Sequence, residues 1–202
     1  MTFFNYFQIA LVVIVVCVIA TRAISSWAAT GVNPIVIGRG QGSWRVLEFF
    51  SLLALIVWVI EVLLRALGSR FDISSDAVGV AQLHTQTVRI MGVALLLIGM
   101  VPFILAFVNF GTSWRIGIDR KTPGTLVTSG IFAATRNPIF VAFILFFFGV
   151  FLINGTWFFL VFALLAVVAI HFQIRREEDF LRKQYGADYA AYHRRTARYL
   201  IW

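Results

Sequence analysis

Two short polar segments of this 202-residue chain carry the side chains that could perform chemistry. The first covers residues 124–138 and contains Arg136 and Asn137, and the second begins near residue 173 and contains the adjacent acids Glu177 and Glu178. A carboxylate can bind an ammonium or hydroxyl group, and an arginine can bind a carboxylate through paired hydrogen bonds. We therefore place the candidate active site where the two segments meet.

An apolar hairpin must bring these segments together. Residues 139–153 and 157–172 are both apolar, and the turn formers Asn154, Gly155 and Thr156 separate them. A connection this tight favours two antiparallel helices. Because the hairpin returns the chain to the side from which it started, the two polar segments should lie on one side of the membrane.

The composition indicates that much of the surface faces lipid. Hydrophobic residues make up 60% of the chain and charged residues only 13%, which is unusual for a soluble domain of this size. In so apolar a chain, the net charge of +8 is better explained by a membrane face than by nucleic acid. The single cysteine, Cys17, lies in an apolar run, so a packing role is expected and no disulfide can form within the chain.

Five apolar segments approach or exceed the length needed to cross a bilayer. They are residues 3–20, 46–67, 88–110, 139–153 and 157–172. We predict an all-α integral membrane protein with about five transmembrane helices and a C-terminal cytoplasmic amphipathic helical segment. Its first three spans would form a membrane region over residues 1–110, and residues 111–202 would form the catalytic region.

The arginines and lysines predict the orientation. With five spans and the N-terminus outside, 14 of the 17 basic residues fall in the three cytoplasmic segments, and only Arg65, Arg70 and Arg89 lie outside. The positive-inside rule therefore favours an external N-terminus, with the C-terminus and the active site in the cytoplasm.

Other polar features of the membrane region have simple alternatives. Glu48 and Glu61 lie near the ends of the second span, where local ion pairs with Arg45 and Arg65 explain them as well as a functional role does. Pro102 is expected to kink the third span, which would open a cavity beside the hairpin or have no functional consequence. Residues 33–38 and 111–117 are read as an interfacial segment and an anchor, or as plain loops.

The C-terminal segment shows helical periodicity with a break at Gly186. Adjacent helical residues point about 100° apart, so one glutamate of Glu177 and Glu178 is expected in the site and the other in an arginine pair. Composition alone also fits an amphipathic helix on anionic lipid. The three histidines are scattered, no metal site is predicted, and no glycine-rich dinucleotide loop or Ser-His-Asp arrangement is present.

The motifs suggest a specific family. LVTSGIF at residues 126–132, RNPIF at 136–140, EEDFL at 177–181 and YGADYAAY at 185–192 are followed by Arg198. In their order, their spacing and the intervening hairpin, these stretches resemble the isoprenylcysteine carboxyl methyltransferase family. The resemblance covers about the last ninety residues, and the RNP form is similar to a bacterial branch of the family.

The resemblance implies S-adenosylmethionine as the methyl donor, bound by the loop and the C-terminal segment near the cytoplasmic face. Carried over residue by residue, it implies catalytic roles for Arg136, Asn137, Glu178 and Arg198. It implies cofactor contacts for Thr128, Gly130, Phe132, Asn137, Pro138, Phe140, Glu177, Glu178, Tyr189 and Tyr192.

The chain departs from the family pattern at several positions. Asn137 replaces a histidine, Ile131 a proline, and Phe132 and Phe140 two tyrosines. Since asparagine does not titrate, a general base at residue 137 is not expected. Displacement at a methyl group needs in-line alignment and a dry pocket more than acid–base machinery. The acceptor, a lipophilic or small carboxylate, thiol or amine, is expected to enter from the membrane between spans.

Two other functions are consistent with parts of the sequence. Membrane sterol reductases share a similar motif and a C-terminal tyrosine pattern but bind NADPH, and they are usually longer. A non-enzymatic transporter or partner subunit is the other alternative, although no internal repeat is visible in the sequence. The paired glutamates and the short chain favour the methyltransferase. The sequence does not indicate an oligomeric state.

Overall fold

The computed structural model describes residues 1–35, 43–73, 85–111 and 124–200. Within these residues the regular secondary structure is helical, apart from one isolated bridge. The helices are α1 (Phe3–Thr30), α2 (Ser43–Ala66), α3 (Gln86–Phe110), the single turn α4 (Ile131–Ala134), α5 (Pro138–Asn154) and α6 (Trp157–Arg195). The predicted all-α class is confirmed. Of the segments read as interfacial or anchoring, residues 36–38 and 112–117 lie outside the described residues.

Helices α1, α2, α3 and α6 are long and apolar enough to cross a membrane. The apolar α5 has 17 residues, or about 26 Å at 1.5 Å per residue, slightly less than a hydrocarbon core of about 30 Å. The predicted set of about five apolar helices is therefore confirmed. Helix α1 continues ten residues beyond the predicted span end at residue 20, because its polar last turns remain helical until Gly31 adopts φ +66°.

Helices α3 and α5 form the closest packing in the fold. A Cβ atom added to Gly92 would lie 2.7 Å from the carbonyl oxygen of Gly149, and one added to Gly149 would lie 2.9 Å from the carbonyl oxygen of Gly92. Glycine at both positions thus lets the two backbones touch, as small residues do between membrane helices. About two turns further along α3, Gly99 lies against the ring of Phe146.

The middle of α3 is packed rather than open. Pro102 is buried in α3, as are the aromatic rings of Phe103 and Phe107. The ring of Phe103 lies 5.7 Å from that of Phe146 on α5. The cavity considered for this position is therefore filled by aromatic side chains of α3 and α5.

The hairpin of α5 and α6 turns within two residues. Gly155 adopts φ +63°, and its N–H donates to the carbonyl of Phe151 at 2.7 Å, which closes the last turn of α5. Trp58 of α2 packs on both arms of the hairpin, with ring centroids 5.0 Å from Phe147 and 5.8 Å from Phe162. The predicted hairpin is present, and it places Arg136 and Glu178 at the same end of the fold.

Candidate active site

The loop before α5 is shaped by Gly130. This residue has φ +62°, and a Cβ there would collide with Oδ1 of Asn109 near the end of α3. The same Asn109 oxygen accepts the Ile131 N–H at 2.8 Å and so begins the single turn α4. Gly130 is therefore needed for close approach to α3 and for its positive φ. Its predicted cofactor contact remains untested.

The C-terminal tail is joined to this loop along the backbone. After α6, Ala197 forms a parallel bridge with Thr135. Its carbonyl accepts the Arg136 N–H at 2.9 Å. The carbonyl of Arg198 accepts the Thr135 hydroxyl at 3.2 Å and the Asn137 amide at 3.0 Å. Asn137, which stands where the family pattern has histidine, thus uses its amide to hold the tail.

Glu178 lies between two arginines. Arg136 donates to its Oε1 from Nη2 at 2.8 Å and from Nε at 3.1 Å. Arg198 donates to its Oε2 from Nη2 at 2.6 Å and from Nε at 3.1 Å. The side chains of Glu178 and Arg136 are only 4% and 6% exposed, whereas that of Arg198 is 33% exposed. One carboxylate therefore connects α6, the loop and the tail.

The electrostatics of this triad favour an ionised Glu178. Burial by itself would raise the pKa of Glu178, but the hydrogen bonds and positive charges of Arg198 and Arg136 outweigh burial and hold this pKa below its ordinary value. Arg136 also donates from Nη1 to the carbonyls of His193 and Thr196. Arg136 is thus largely engaged by the protein, and Arg198, whose side chain is one-third exposed, is the better placed of the two to meet a ligand.

Two tyrosines of α6 form the wall beside the triad. Tyr189 and Tyr192 are buried with Phe132 and Ala106 in a cluster separate from the main apolar core. The Tyr192 hydroxyl donates to the carbonyl of Phe132 at 2.7 Å. The Tyr189 side chain is 1% exposed, and its hydroxyl has no hydrogen-bond partner within the described parts of the chain. Burial raises the pKa of Tyr189 to about 12, so its hydroxyl remains a neutral donor at ordinary pH.

Glu177 lies away from this cluster. Its Oε1 accepts from Gln173 at 3.0 Å, Gln173 in turn accepts from Arg176, and Arg176 Nη2 contacts Glu48 Oε1 of α2 at 3.1 Å. The separation follows from the 100° step between adjacent helical residues. Burial raises the pKa of Glu177 to about 7. The two glutamates thus face different groups, as expected, but the arginine pairs belong to Glu178, whereas the expectation placed one glutamate in the site and the other in an arginine pair. Which glutamate contacts a cofactor stays a prediction.

The acids of α2 have tertiary partners that the predicted ion pairs with arginines of the same helix did not include. Glu48 bonds Arg176 of α6, as described above, and thereby connects α2 to the polar end of α6. Near the other end of α2, Glu61 Oε2 accepts the Ile73 N–H at 3.1 Å. Arg65 pairs with Asp72 at 3.1 Å. Both acids thus have partners outside their own helix, Glu48 on α6 and Glu61 after the end of α2.

The remaining residues of the predicted site are distributed over two environments. Thr128 is half-buried in the loop, and Pro138 is buried at the first position of α5. Phe140 packs against the main apolar core, whereas Phe132 packs with the tyrosines. The structure thus brings together Arg136, Asn137, Glu178, Arg198 and the tyrosine wall, and it leaves Phe140 and Glu177 outside this group.

Several residues of the site were missed by the sequence analysis. Thr135 is fully buried and bonds the tail, and its position directly before Arg136 was the available signal. His193 lies with its ring centroid 6.0 Å from that of Tyr189, and Asn109 holds the start of α4. Burial and the charge of Arg136 hold the pKa of His193 below its ordinary value. The contacts of Thr135 and Asn109 join residues far apart in sequence, and sequence spacing does not reveal them. His193 follows Tyr189 by one helical turn, so helical spacing was the signal for that contact.

Comparison with known families identifies the chain. A family model described as phospholipid methyltransferase matches residues 87–188, which are 102 of the 202 residues. The match begins in α3, contains α5 and most of α6, and includes Arg136, Asn137 and Glu178. No curated protein gives a significant match. The chain therefore belongs to the phospholipid methyltransferase family and is an integral membrane methyltransferase.

Proposed function

We propose that the chain transfers a methyl group from S-adenosylmethionine to a lipophilic or small acceptor. The methyl donor would lie between the loop at residues 124–138 and the chain from Tyr185 to Tyr199. The observation that carries this proposal is the Glu178 triad, which holds the loop and the tail together at the end of the hairpin. Residues 111–202 would then supply the catalytic side chains, supported by the packing of α3 on α5.

The residues present fit this donor chemically. Bound S-adenosylmethionine supplies an electrophilic methyl group on a sulfonium, and it carries a carboxylate, an ammonium and hydroxyls. The unpartnered hydroxyl of Tyr189 is a buried donor that a ligand would satisfy. The Nη1 group of Arg198, which makes no contact with Glu178, suits a carboxylate. Glu178 would act mainly by holding both arginines in position.

The acceptor would approach along an apolar groove. A cavity of about 520 Å³ lies between α5 and α6 and is lined by Ile144, Val167, Val168, His171, Phe172 and Tyr199. At one edge of this groove His171 Nδ1 and the Tyr199 hydroxyl lie 3.2 Å apart. Tyr199 lines the groove and follows Arg198 directly in the chain, so this edge of the groove is the one nearest to the triad in sequence. Its lining suits an acyl or prenyl chain, with the reactive group toward Arg198.

Binding of the demethylated donor, S-adenosylhomocysteine, is the first test. Isothermal titration of the detergent-purified protein should give a binding constant in the micromolar range, and Glu178→Ala should weaken it. Asp179→Asn is the matched control, because this neighbouring acid is exposed and its ion pair with Arg182 is long, at 4.0 Å. Thermal unfolding must show that each variant is folded. Binding of NADPH in place of S-adenosylhomocysteine would favour a reductase, and binding of neither would refute the proposal.

The acceptor can be assigned by transfer of a labelled methyl group. The description of the family names phospholipids, so phosphatidylethanolamine is the first acceptor to test, followed by a prenylcysteine and a small thiol. Val168→Trp would fill the groove, whereas Val161→Trp changes an equally exposed valine of α6 that does not line it. We expect only Val168→Trp to raise the KM for a long-chain acceptor. An equal effect of both changes would contradict the proposed groove.

We also propose that the site faces the cytoplasm. The support is the distribution of basic residues, 14 of which fall on the side of the triad when the chain has five spans. A reporter fused to the C-terminus that is active only in the cytoplasm should therefore be active, and an N-terminal fusion should be inactive. The opposite pattern would invert the orientation and leave the site geometry unchanged.

A further inference from the structure

A polar cavity lies at the other end of the hairpin, remote from the Glu178 triad. It has a volume of about 340 Å³, and its polar lining side chains are Asn5, Gln8, Arg65, Ser69, Asp72, Arg89 and Asn154. From the start of α6 at Trp157 to Glu178 the helix rises about 32 Å at 1.5 Å per residue. This rise is close to the thickness of the hydrocarbon core, so the cavity lies at the level of the opposite headgroups.

Most polar groups of the cavity already have partners in the protein. Asn154 donates to Gln8 Oε1 at 2.6 Å, and Asn5 donates to the carbonyl of Ala66 at 2.7 Å. Arg65 pairs with Asp72 at 3.1 Å. These contacts form a polar wall that is held in place without a ligand.

Arg89 is the exception. Its Nε is buried, and no acceptor for it exists in the described part of the chain. The guanidinium instead lies over the ring of Phe4, 5.7 Å from the centroid. An unpaired guanidinium atom that is buried in this way is costly unless an acceptor completes it.

The position of Arg89 in its helix is also unfavourable. Helix α3 begins after Thr85, so Arg89 lies in the first turn, where the helix dipole is positive. A cation there is repelled by the free N–H groups, whereas an anion is attracted. The helix dipole therefore does not favour an arginine at this position, whereas it does favour an anion beside it.

The charges lining the cavity indicate the kind of anion. Two arginines and one aspartate line the cavity and give the lining one net positive charge, and the buried Glu61, whose Oε2 accepts the Ile73 N–H, does not line it. We propose that this cavity binds the singly charged phosphodiester of a phospholipid headgroup in the leaflet opposite the active site. Arg89 holds the phosphate oxygens, and the neighbouring amides border the headgroup. This site is independent of methyl transfer.

Retention of lipid measures this interaction directly. The protein purified in maltoside detergent is exchanged into micelles containing phosphatidylglycerol, a singly charged phosphodiester lipid, and bound lipid is counted by native mass spectrometry. We expect one tightly held lipid on the wild type. Its affinity should fall at least about tenfold in Arg89→Gln, because a charge-assisted pair is lost. Arg70→Gln is the matched control, since Arg70 is exposed, lies over Phe71 and does not line the cavity.

Two further arms separate the sources of the phosphate. Diacylglycerol with the same acyl chains should not be retained, and inorganic phosphate should not displace the lipid at millimolar concentration. Displacement by inorganic phosphate that depends on Arg89 would overturn the assignment to a lipid. Equal lipid affinities of Arg89→Gln and the wild type would overturn the site itself.

A second variant tests the site in the opposite direction. Asp72→Asn removes the competing carboxylate from the lining of the cavity, so lipid affinity should increase several-fold. This result does not depend on whether Arg89→Gln folds. Unchanged or weaker retention in a folded Asp72→Asn protein would contradict the proposed charge balance.

Discussion

The Glu178 triad allows a quantitative prediction for stability. Glu178→Gln keeps the shape of the side chain but removes its charge, and it leaves Arg136 buried with 6% of its side chain exposed. Removing one partner from a buried ion pair costs about 3–5 kcal/mol, chiefly because the remaining charge is uncompensated. The pair with Arg198 contributes less, because a third of this arginine is in solvent.

The expected order of destabilisation follows from these exposures. Glu178→Gln should lower the free energy of unfolding by about 3 kcal/mol or more, and Arg198→Gln by about 1 kcal/mol. Asp179→Asn, which removes a carboxylate 69% exposed to solvent, should change it by less than about 0.5 kcal/mol. Equilibrium unfolding in mixed micelles, monitored by circular dichroism, measures all three.

A double variant checks the cause. In Arg136→Gln with Glu178→Gln no buried charge is left unpaired, since the remaining arginine, Arg198, is one-third exposed to solvent. The loss should therefore be smaller than the sum of the two single losses by about 1–3 kcal/mol. Additive losses, or equal losses for Glu178→Gln and Arg198→Gln, would refute the argument that an isolated buried Arg136 dominates the effect.

Three other predictions follow from single contacts. The pKa of Glu177 in the folded protein is raised to about 7, so its contribution to stability is present below about pH 4.5 and is lost as the pH rises through 7. The unfolding temperature of the wild type should therefore fall over this pH range relative to that of Glu177→Gln. Parallel curves of unfolding temperature against pH for the two proteins would contradict this. Tyr192→Phe should lower the free energy of unfolding by about 1 kcal/mol, because it loses a hydrogen bond. Tyr189→Phe should leave the free energy of unfolding unchanged but weaken S-adenosylhomocysteine binding. The reverse pattern would show that Tyr189 is not a ligand donor. Gly149→Val should lower the free energy of unfolding by about 1–3 kcal/mol, because a Cβ at this position would lie within 2.9 Å of α3. A variant as stable as the wild type would argue against this packing.

The sequence by itself determined the membrane fold and the family. Apolar runs long enough to cross a bilayer define the helices, because backbone polar groups in lipid must be satisfied within a helix. The tight turn at Asn154 and Gly155 determined the hairpin, and motif order on either side of it indicated a methyltransferase, in agreement with the family match at residues 87–188. The break in α6 at Gly186 was likewise visible in advance, and Gly186 has a non-helical φ of 51°.

The tertiary structure alone decided which side chains meet. Glu177 and Glu178 are equivalent by composition, and only the rotation of α6 against the loop turns Glu178 toward Arg136. The same holds for Glu48, whose partner Arg176 is 128 residues away. Asn137 also acquired its role from a carbonyl of the tail. Periodicity describes the faces of one helix, whereas these contacts depend on how separate helices pack, and that arrangement is set by many distant residues together.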